Sequence, residues 1–306
     1  MRQALLFVLF FVLAAFNAGA AEYRAVSSGV RYTHLGDYSV ERLNTILSTE
    51  VATFSSFKIQ YPQAANGVSL YKVQYATVIP EQGNKPTLAS GLVAVPKTAQ
   101  KKLPVVSYQH GTVFTRTAVP SRPEESDETR IVTARLAGNG YVVIAADYIG
   151  KGDSSEPDSY MVREATVQAC VDMLFAARAV LADLGITEDG LFLSGWSQGS
   201  WSTQQFRHRL ETFNIPVKAA ATAATPVDLY LLLTRWINNP TKLDANWLAG
   251  SVILFTYSYA HYYDMPGLPQ TIIKPEYQAA CRDFFDNKIG WEQLQPQIPA
   301  KIFFGP

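Results

Sequence analysis

Apolar and polar positions follow two rhythms along the chain, and the change between them falls near Leu103. Before it, Tyr38 to Thr53 reads as a helix, and Leu70 to Val78 and Ala89 to Val95 read as strands joined by the turn-rich stretch PEQGNKPT. Together the two strands predict an opening antiparallel hairpin, preceded by a short polar lead. From Leu103 onward, short apolar runs alternate with helix-length segments. LPVVSYQ, YVVIAADY, LFLSGWS and VKAAATAA read as strands; ETRIVTARLAGNG, Met161 to Leu184 and Gln198 to Glu211 read as helices. Strictly alternating strands and helices predict a parallel sheet flanked by helices, hence an α/β fold. The stretch from Leu229 to Pro296 then loses the strand rhythm and is crowded with aromatics, among them Trp236, Trp247, Phe255 and Trp291. At roughly 65 residues it is too long for a plain loop and predicts helices of its own. AKIFFGP begins another apolar strand.

Composition narrows the function classes. A chain of 306 residues can bury one large core, so two domains are not required. Lys and Arg number 26 and so do Asp and Glu. That balance argues against nucleic acid as a partner, since binding a phosphate backbone needs a basic face. At the N-terminus, Arg2, the apolar run Leu5 to Phe16 and the small residues Ala18-Gly19-Ala20 form a secretion signal over residues 1–21. Cleavage after Ala20 and after Ala21 fit equally well. The run is shorter than the roughly 20 residues that span a bilayer, so no membrane span is expected in the mature chain, 22–306, which is secreted or periplasmic. Cys170 and Cys281 could pair in that setting, but each sits in an apolar helical pattern, and the reading leans to unpaired thiols. Neither shows metal-site or redox spacing, so no metal is expected.

Gly195-Trp196-Ser197-Gln198-Gly199 carries the first chemistry. It follows a buried strand and opens a helix, the layout that pushes a serine out of a sharp turn at the carboxyl end of a sheet. Ser197 is the candidate nucleophile, and the helix start supplies free amides for a developing oxyanion. In YQHGT, Gly111 would let the backbone approach a ligand, and the Thr112 amide, with that of Gln198, would complete an oxyanion hole. His110 reads as a brace for this loop rather than as a base. Gly150-Lys151-Gly152 after Asp147 lacks the residues of a phosphate loop and reads as a structural turn in which Asp147 bonds loop amides. SRPEESDETR reads as a solvated charged loop and a helix start.

SYQHGT, GYVVIAADYIGKGDSS and LFLSGWSQGS, in this order, resemble the α/β-hydrolases, in particular the secreted lipases and esterases of bacteria and fungi. The resemblance covers roughly Leu103 to Asp228. It implies a mostly parallel sheet flanked by helices, an inserted helical cap at about 229–296, a Ser-His-Asp triad, no cofactor, and an ester or lipid substrate. The implied cap walls an apolar pocket, although most of its aromatics read as the cap's own core.

The same resemblance places the acid and then the histidine after the cap. AKIFFGP fits the acid-bearing strand, and no residue follows Pro306. The remaining histidines do not substitute. His208 lies eleven residues along the elbow helix, about 16 Å away; His261 falls in the aromatic segment; His34 falls ahead of the sheet. Asp228 suits an alternative acid position but also reads as a helix cap. The expectation is therefore a serine ester hydrolase whose last strand and helix, with the acid and histidine, lie in sequence absent from this chain. A catalytically inactive hydrolase-like binding protein is the alternative from another class; a peptidase or acyltransferase is the nearest enzymatic one.

Overall fold

A hairpin that the sequence leaves as a polar lead begins the sheet: β1, Arg24–Ser27, turns through Gly29 (φ 73°) into β2, Val30–Tyr38. The computed structural model describes residues 22–54, 59–239 and 241–298. The signal reading of residues 1–21 and the strand expected in AKIFFGP lie outside them.

β2 buries only Tyr32, Thr33 and Tyr38, and its register with the next strand shifts between His34 and Gly36. A mostly exposed strand with a bulge has no clean period-two signature, which is why it reads as lead sequence. His34 accordingly sits within the sheet rather than ahead of it. A helical segment follows, made of α1 (Val40–Thr45), a π-helical turn (Ile46–Glu50) and α2 (Val51–Phe54). The predicted hairpin then forms from β3, Val68–Ile79, and β4, Lys85–Pro96, in continuous antiparallel register.

β5 (Lys102–Gln109), α3 (Asp127–Leu136), β6 (Val142–Ala146), α4 (Arg163–Asp183), β7 (Thr187–Trp196), α5 (Gln198–Thr212) and β8 (Val217–Ala223) follow the expected alternation. The sheet order is β1-β2-β3-β4-β6-β5-β7-β8. β1 to β4 and the β4–β6 pair are antiparallel, and β6, β5, β7 and β8 are mutually parallel, so the sheet is mixed.

Both faces of the sheet are covered, which accounts for strands that are apolar at nearly every position. Val142, Ile144 and Ala146 of β6 face α4 and α5, against Val167, Leu174, Val180 and Phe206. Val143 and Ala145 face the other way, onto Leu43, Ile46 and Ile131 of the α1–α3 side. Each such aliphatic side chain contributes roughly 1.5–3 kcal/mol on burial. α4 is long and apolar enough to cross a membrane, yet 67% of its apolar window is buried within the fold. Its N-terminus lacks a side-chain cap from Val162; Glu81, from the β3–β4 turn, accepts the Glu164 and Ala165 amides instead, at 2.9 and 3.1 Å.

Residues 229–298 form α6 (Leu229–Asn238), α7 (Trp247–Tyr262), α8 (Leu268–Ile272), α9 (Pro275–Phe285) and α10 (Trp291–Leu294). Their aromatics and aliphatics make a separate apolar cluster that reaches Phe114, Tyr160 and Trp201 of the sheet domain. Cys170 and Cys281 are both buried free thiols.

Candidate active site

β5 and β7 are parallel neighbours with Gln109 opposite Gly195, so the peptides leaving both strands emerge side by side. α5 begins at once, and the residue between strand and helix is Ser197. Its backbone sits at φ 52°, ψ −116°, a conformation costing about 1–3 kcal/mol for a residue with a side chain. The turn is held from outside: the Ser197 amide donates to Ala223 O at 3.0 Å, across to the end of β8.

The two glycines of the motif answer to packing. A Cβ on Gly195 would stand 2.6 Å from Gly199 C, and one on Gly199 would stand 2.6 Å from His110 O and deeper still against the Gln109 carbonyl. Helix α5 is thereby pressed against the exit of β5. The buried Thr203 hydroxyl lies 2.8 Å from Gln109 Oε1 and fastens the same contact.

A serine in front of a helix ordinarily spends its hydroxyl on an amide of the first turn. Ser197 makes no such bond and is half-buried, so its Oγ stays free at the mouth of the turn. The Gln198 amide, at the first position of a fifteen-residue helix, has no intrahelical partner and carries the positive end of the helix dipole. Among the described residues neither it nor the Thr112 amide donates to a protein acceptor. Gly111 is explained differently from the sequence reading. The space its Cβ would need is taken by Trp196 Cδ1 at 3.0 Å and Glu128 Oε2 at 3.2 Å, so glycine here admits the elbow itself rather than a ligand.

His110 is a brace. Its ring is buried, stacks on Tyr148 at 4.3 Å, and approaches Gly111 O through Nδ1 (2.8 Å) and Asp147 O through Nε2 (3.2 Å). Burial lowers its pKa to about 4, so the imidazole is neutral at physiological pH. Asp147 accepts from the Ser121 amide and the Ser90 hydroxyl at 2.8 and 2.5 Å, and burial raises its pKa. Lys151, in the glycine-flanked turn, forms a buried ion pair with Asp158 at 2.9 Å and donates to Val113 O and Thr115 O. These contacts make Gly150-Lys151-Gly152 a structural turn.

The charged stretch SRPEESDETR departs from the sequence reading at Glu128. Ser126 caps α3, but Glu128 points inward, is buried, and accepts from the Tyr108 hydroxyl at 2.6 Å and from the Gly111 amide at 3.0 and 3.1 Å. Burial raises its pKa to about 7 against the pull of those two donors. No feature of the sequence distinguishes this carboxylate from its solvated neighbours.

The other histidines lie elsewhere. His34 pairs with Asp37 on exposed β2, His208 is exposed on α5, and His261 meets the Gln82 side chain. Asp228 is exposed and caps α6 through the Leu231 amide at 2.8 Å. Two cavities, of about 470 Å³ beside Tyr257 and Arg282 and about 450 Å³ beside Tyr38 and Glu124, do not include Ser197. The candidate site is defined by the strand ends instead.

Solved structures share this fold. A provisionally assigned hydrolase from Legionella pneumophila superposes with a TM-score of 0.77 at 28% identity, over 89% of this chain and 72% of that one. The rice cell wall degrading esterase LipA from Xanthomonas oryzae matches with a TM-score of 0.69 at 23% identity, over 90% and 72%. Candida antarctica lipase A matches more distantly, with a TM-score of 0.53 at 18% identity, over 78% and 57%. The chain has the α/β-hydrolase fold. No protein-family profile and no curated protein sequence matches it.

Within the α/β-hydrolase fold, the helices after β8 meet the strand ends from above. Phe114 lies against Gly250 of α7 and stacks near Trp291 and Phe284, with ring centres 5.2 and 5.5 Å away. α7 is tied down by hydroxyls: Ser258 donates to Asp158 O at 2.6 Å and accepts from the Tyr160 amide, and Tyr262 donates to Pro157 O at 2.6 Å. Tyr160 in turn places its hydroxyl 3.0 Å from Thr112 Oγ1.

Proposed function

We propose that this protein is an exported serine hydrolase that cleaves carboxylic esters through an acyl-enzyme on Ser197. The observation that carries the reading is the uncapped Ser197 hydroxyl on a strained turn at the head of α5, whose first amide, that of Gln198, is unspent, as is the Thr112 amide in the loop after β5. Ser197 Oγ attacks the ester carbonyl while its proton passes to a base. The two amides hold the oxyanion, and collapse expels the alcohol, which takes up that proton. Water then adds to the acyl group by the same route, releasing the carboxylic acid and restoring the hydroxyl. The apolar cluster of the helical segment, against which Phe114 and Trp201 pack, suits a hydrophobic acyl or alcohol group. Among the described residues the four histidines are engaged away from the Ser197 hydroxyl: His110 packs on Tyr148, His34 pairs with Asp37, His261 meets Gln82 and His208 is exposed on α5, so none of them is assigned as the base.

That unassigned base also supports the second reading, a binding protein without turnover. A fluorophosphonate probe separates the two. Slow labelling of Ser197 in the 306-residue chain, and rapid labelling with p-nitrophenyl ester hydrolysis once the downstream reading frame is included, is the expected result. An extended protein inert to both reagents would leave the binding reading standing and the hydrolase reading refuted.

A further inference from the structure

Gly111 is gripped at both of its peptide groups. Its N–H points between the two oxygens of Glu128, and its carbonyl lies 2.8 Å from His110 Nδ1. The Gly111 carbonyl and the Thr112 N–H belong to one planar trans peptide and point in opposite directions. The Gly111 N–H belongs to the preceding peptide, so Glu128 and His110 hold the two planes on either side of Gly111, and together they set its torsions and hence the direction of the Thr112 amide. Glu128 is not needed by its own helix, because Ser126 already caps α3 by accepting the Thr129 amide at 3.2 Å. Burying a carboxylate is costly unless it is fully engaged, and this one is engaged with the loop beside Ser197.

We propose that Glu128 is a positioning residue of the oxyanion pocket: its carboxylate holds the Gly111 N–H while His110 meets the Gly111 carbonyl, and this double hold fixes the Gly111 torsions so that the Thr112 amide faces the carbonyl bonded to Ser197. The inference rests on the assignment of Ser197 as nucleophile.

The grip depends on charge. Both carboxylate oxygens lie in reach of one N–H, and protonation of either removes an acceptor. The titratable groups that act on Glu128 are Tyr108 of β5 and Tyr148 beyond β6, while His110 meets the same Gly111 and Arg135 of α3 acts on Tyr108. Burial holds both tyrosines neutral and His110 neutral through the physiological range, and arginine stays charged. Glu128, raised to about 7, is the member of this group that changes charge near neutrality. The grip is strongest when the carboxylate is ionised, above that pH, and weakens as pH falls through it.

The test begins with nuclear magnetic resonance. His110-Gly111 is the one His-Gly pair in the sequence, so carbonyl-¹³C histidine with ¹⁵N glycine gives a single correlated amide signal. In the wild-type protein this signal should titrate with a midpoint near 7; in Glu128→Gln it should not titrate. Tyr108→Phe removes a donor that stabilises the carboxylate and should move the midpoint upward. The second arm is kinetic, on the full-length protein with p-nitrophenyl butyrate. Glu128→Gln should lower kcat about 10–100-fold with KM within about twofold, since a misaimed donor is lost from the transition state alone. A Gly111 signal flat between pH 5.5 and 8.5, or an unchanged kcat in Glu128→Gln, overturns the proposal. Failure of the underlying assignment looks different: Ser197→Ala would then hydrolyse the ester as fast as the wild type.

Discussion

Gly199→Ala separates helix propensity from packing because the two predict opposite signs. Residue 199 lies in the first turn of α5, where alanine is favoured over glycine by roughly 0.5–1 kcal/mol. The added Cβ, however, would lie 2.6 Å from His110 O and even closer to the carbonyl carbon and oxygen of Gln109. These are backbone atoms of β5 and its exit, so no side-chain rotation relieves them. Overpacking of this kind costs about 1–3 kcal/mol, and a clash with main chain belongs at the upper end. After the propensity gain, a net loss of about 2 kcal/mol is expected, or roughly 3 °C in melting midpoint for a chain of this length. Gly267→Ala is the control: a Cβ there meets nothing within 4 Å, and its stability should stay within about 0.5 kcal/mol of wild type. Urea unfolding followed by circular dichroism measures both. A Gly199→Ala protein as stable as the wild type would refute the claim that α5 is pressed onto the β5 exit.

Ser197→Gly should be more stable than Ser197→Ala by about 1–3 kcal/mol, because glycine relieves the strained turn and alanine does not; equal unfolding midpoints would contradict that. Asp158→Asn leaves Lys151 buried without its counter-ion and should cost about 3–5 kcal/mol in urea unfolding. The raised pKa of Glu128 means that the folded state binds more protons than the unfolded state between the ordinary value of 4.5 and about 7. Stability from this group is therefore full below 4.5 and falls as pH rises through that window, by about 3 kcal/mol. Comparing Glu128→Gln with wild type from pH 5 to 8 isolates the effect, and a difference that grows with pH is expected. Burial raises both cysteine thiols, Cys281 to about 12, so iodoacetamide should modify neither in the folded protein, and dithiothreitol should leave the melting midpoint unchanged.

The parallel half of the sheet was legible because doubly covered strands such as VVIAA are apolar throughout, and the glycine-flanked Ser197 was legible because its motif joins a strand directly to a helix. β1 and β2 were not: at the sheet's edge Arg24, Arg31 and His34 remain exposed, and a bulge interrupts their alternation. Glu128 was hidden for another reason. It is one of several acids in SRPEESDETR, and only the approach of Tyr108 and Gly111 from β5 and its loop selects it for burial. His110 as a brace followed from its position ahead of the elbow strand, whereas the reason for Gly111 did not, since Trp196 is 85 residues away in sequence yet touches it in space.

The hydroxyl anchors of α7 bear on how a substrate would arrive. Ser258 and Tyr262 bond carbonyls of 157 and 158, and two residues on, Tyr160 reaches Thr112. Roof and floor are thus riveted to one another, and swinging the roof upward would drag the floor with it. Selectivity among guests would then change by reshaping the side chains between roof and floor rather than by loosening a hinge.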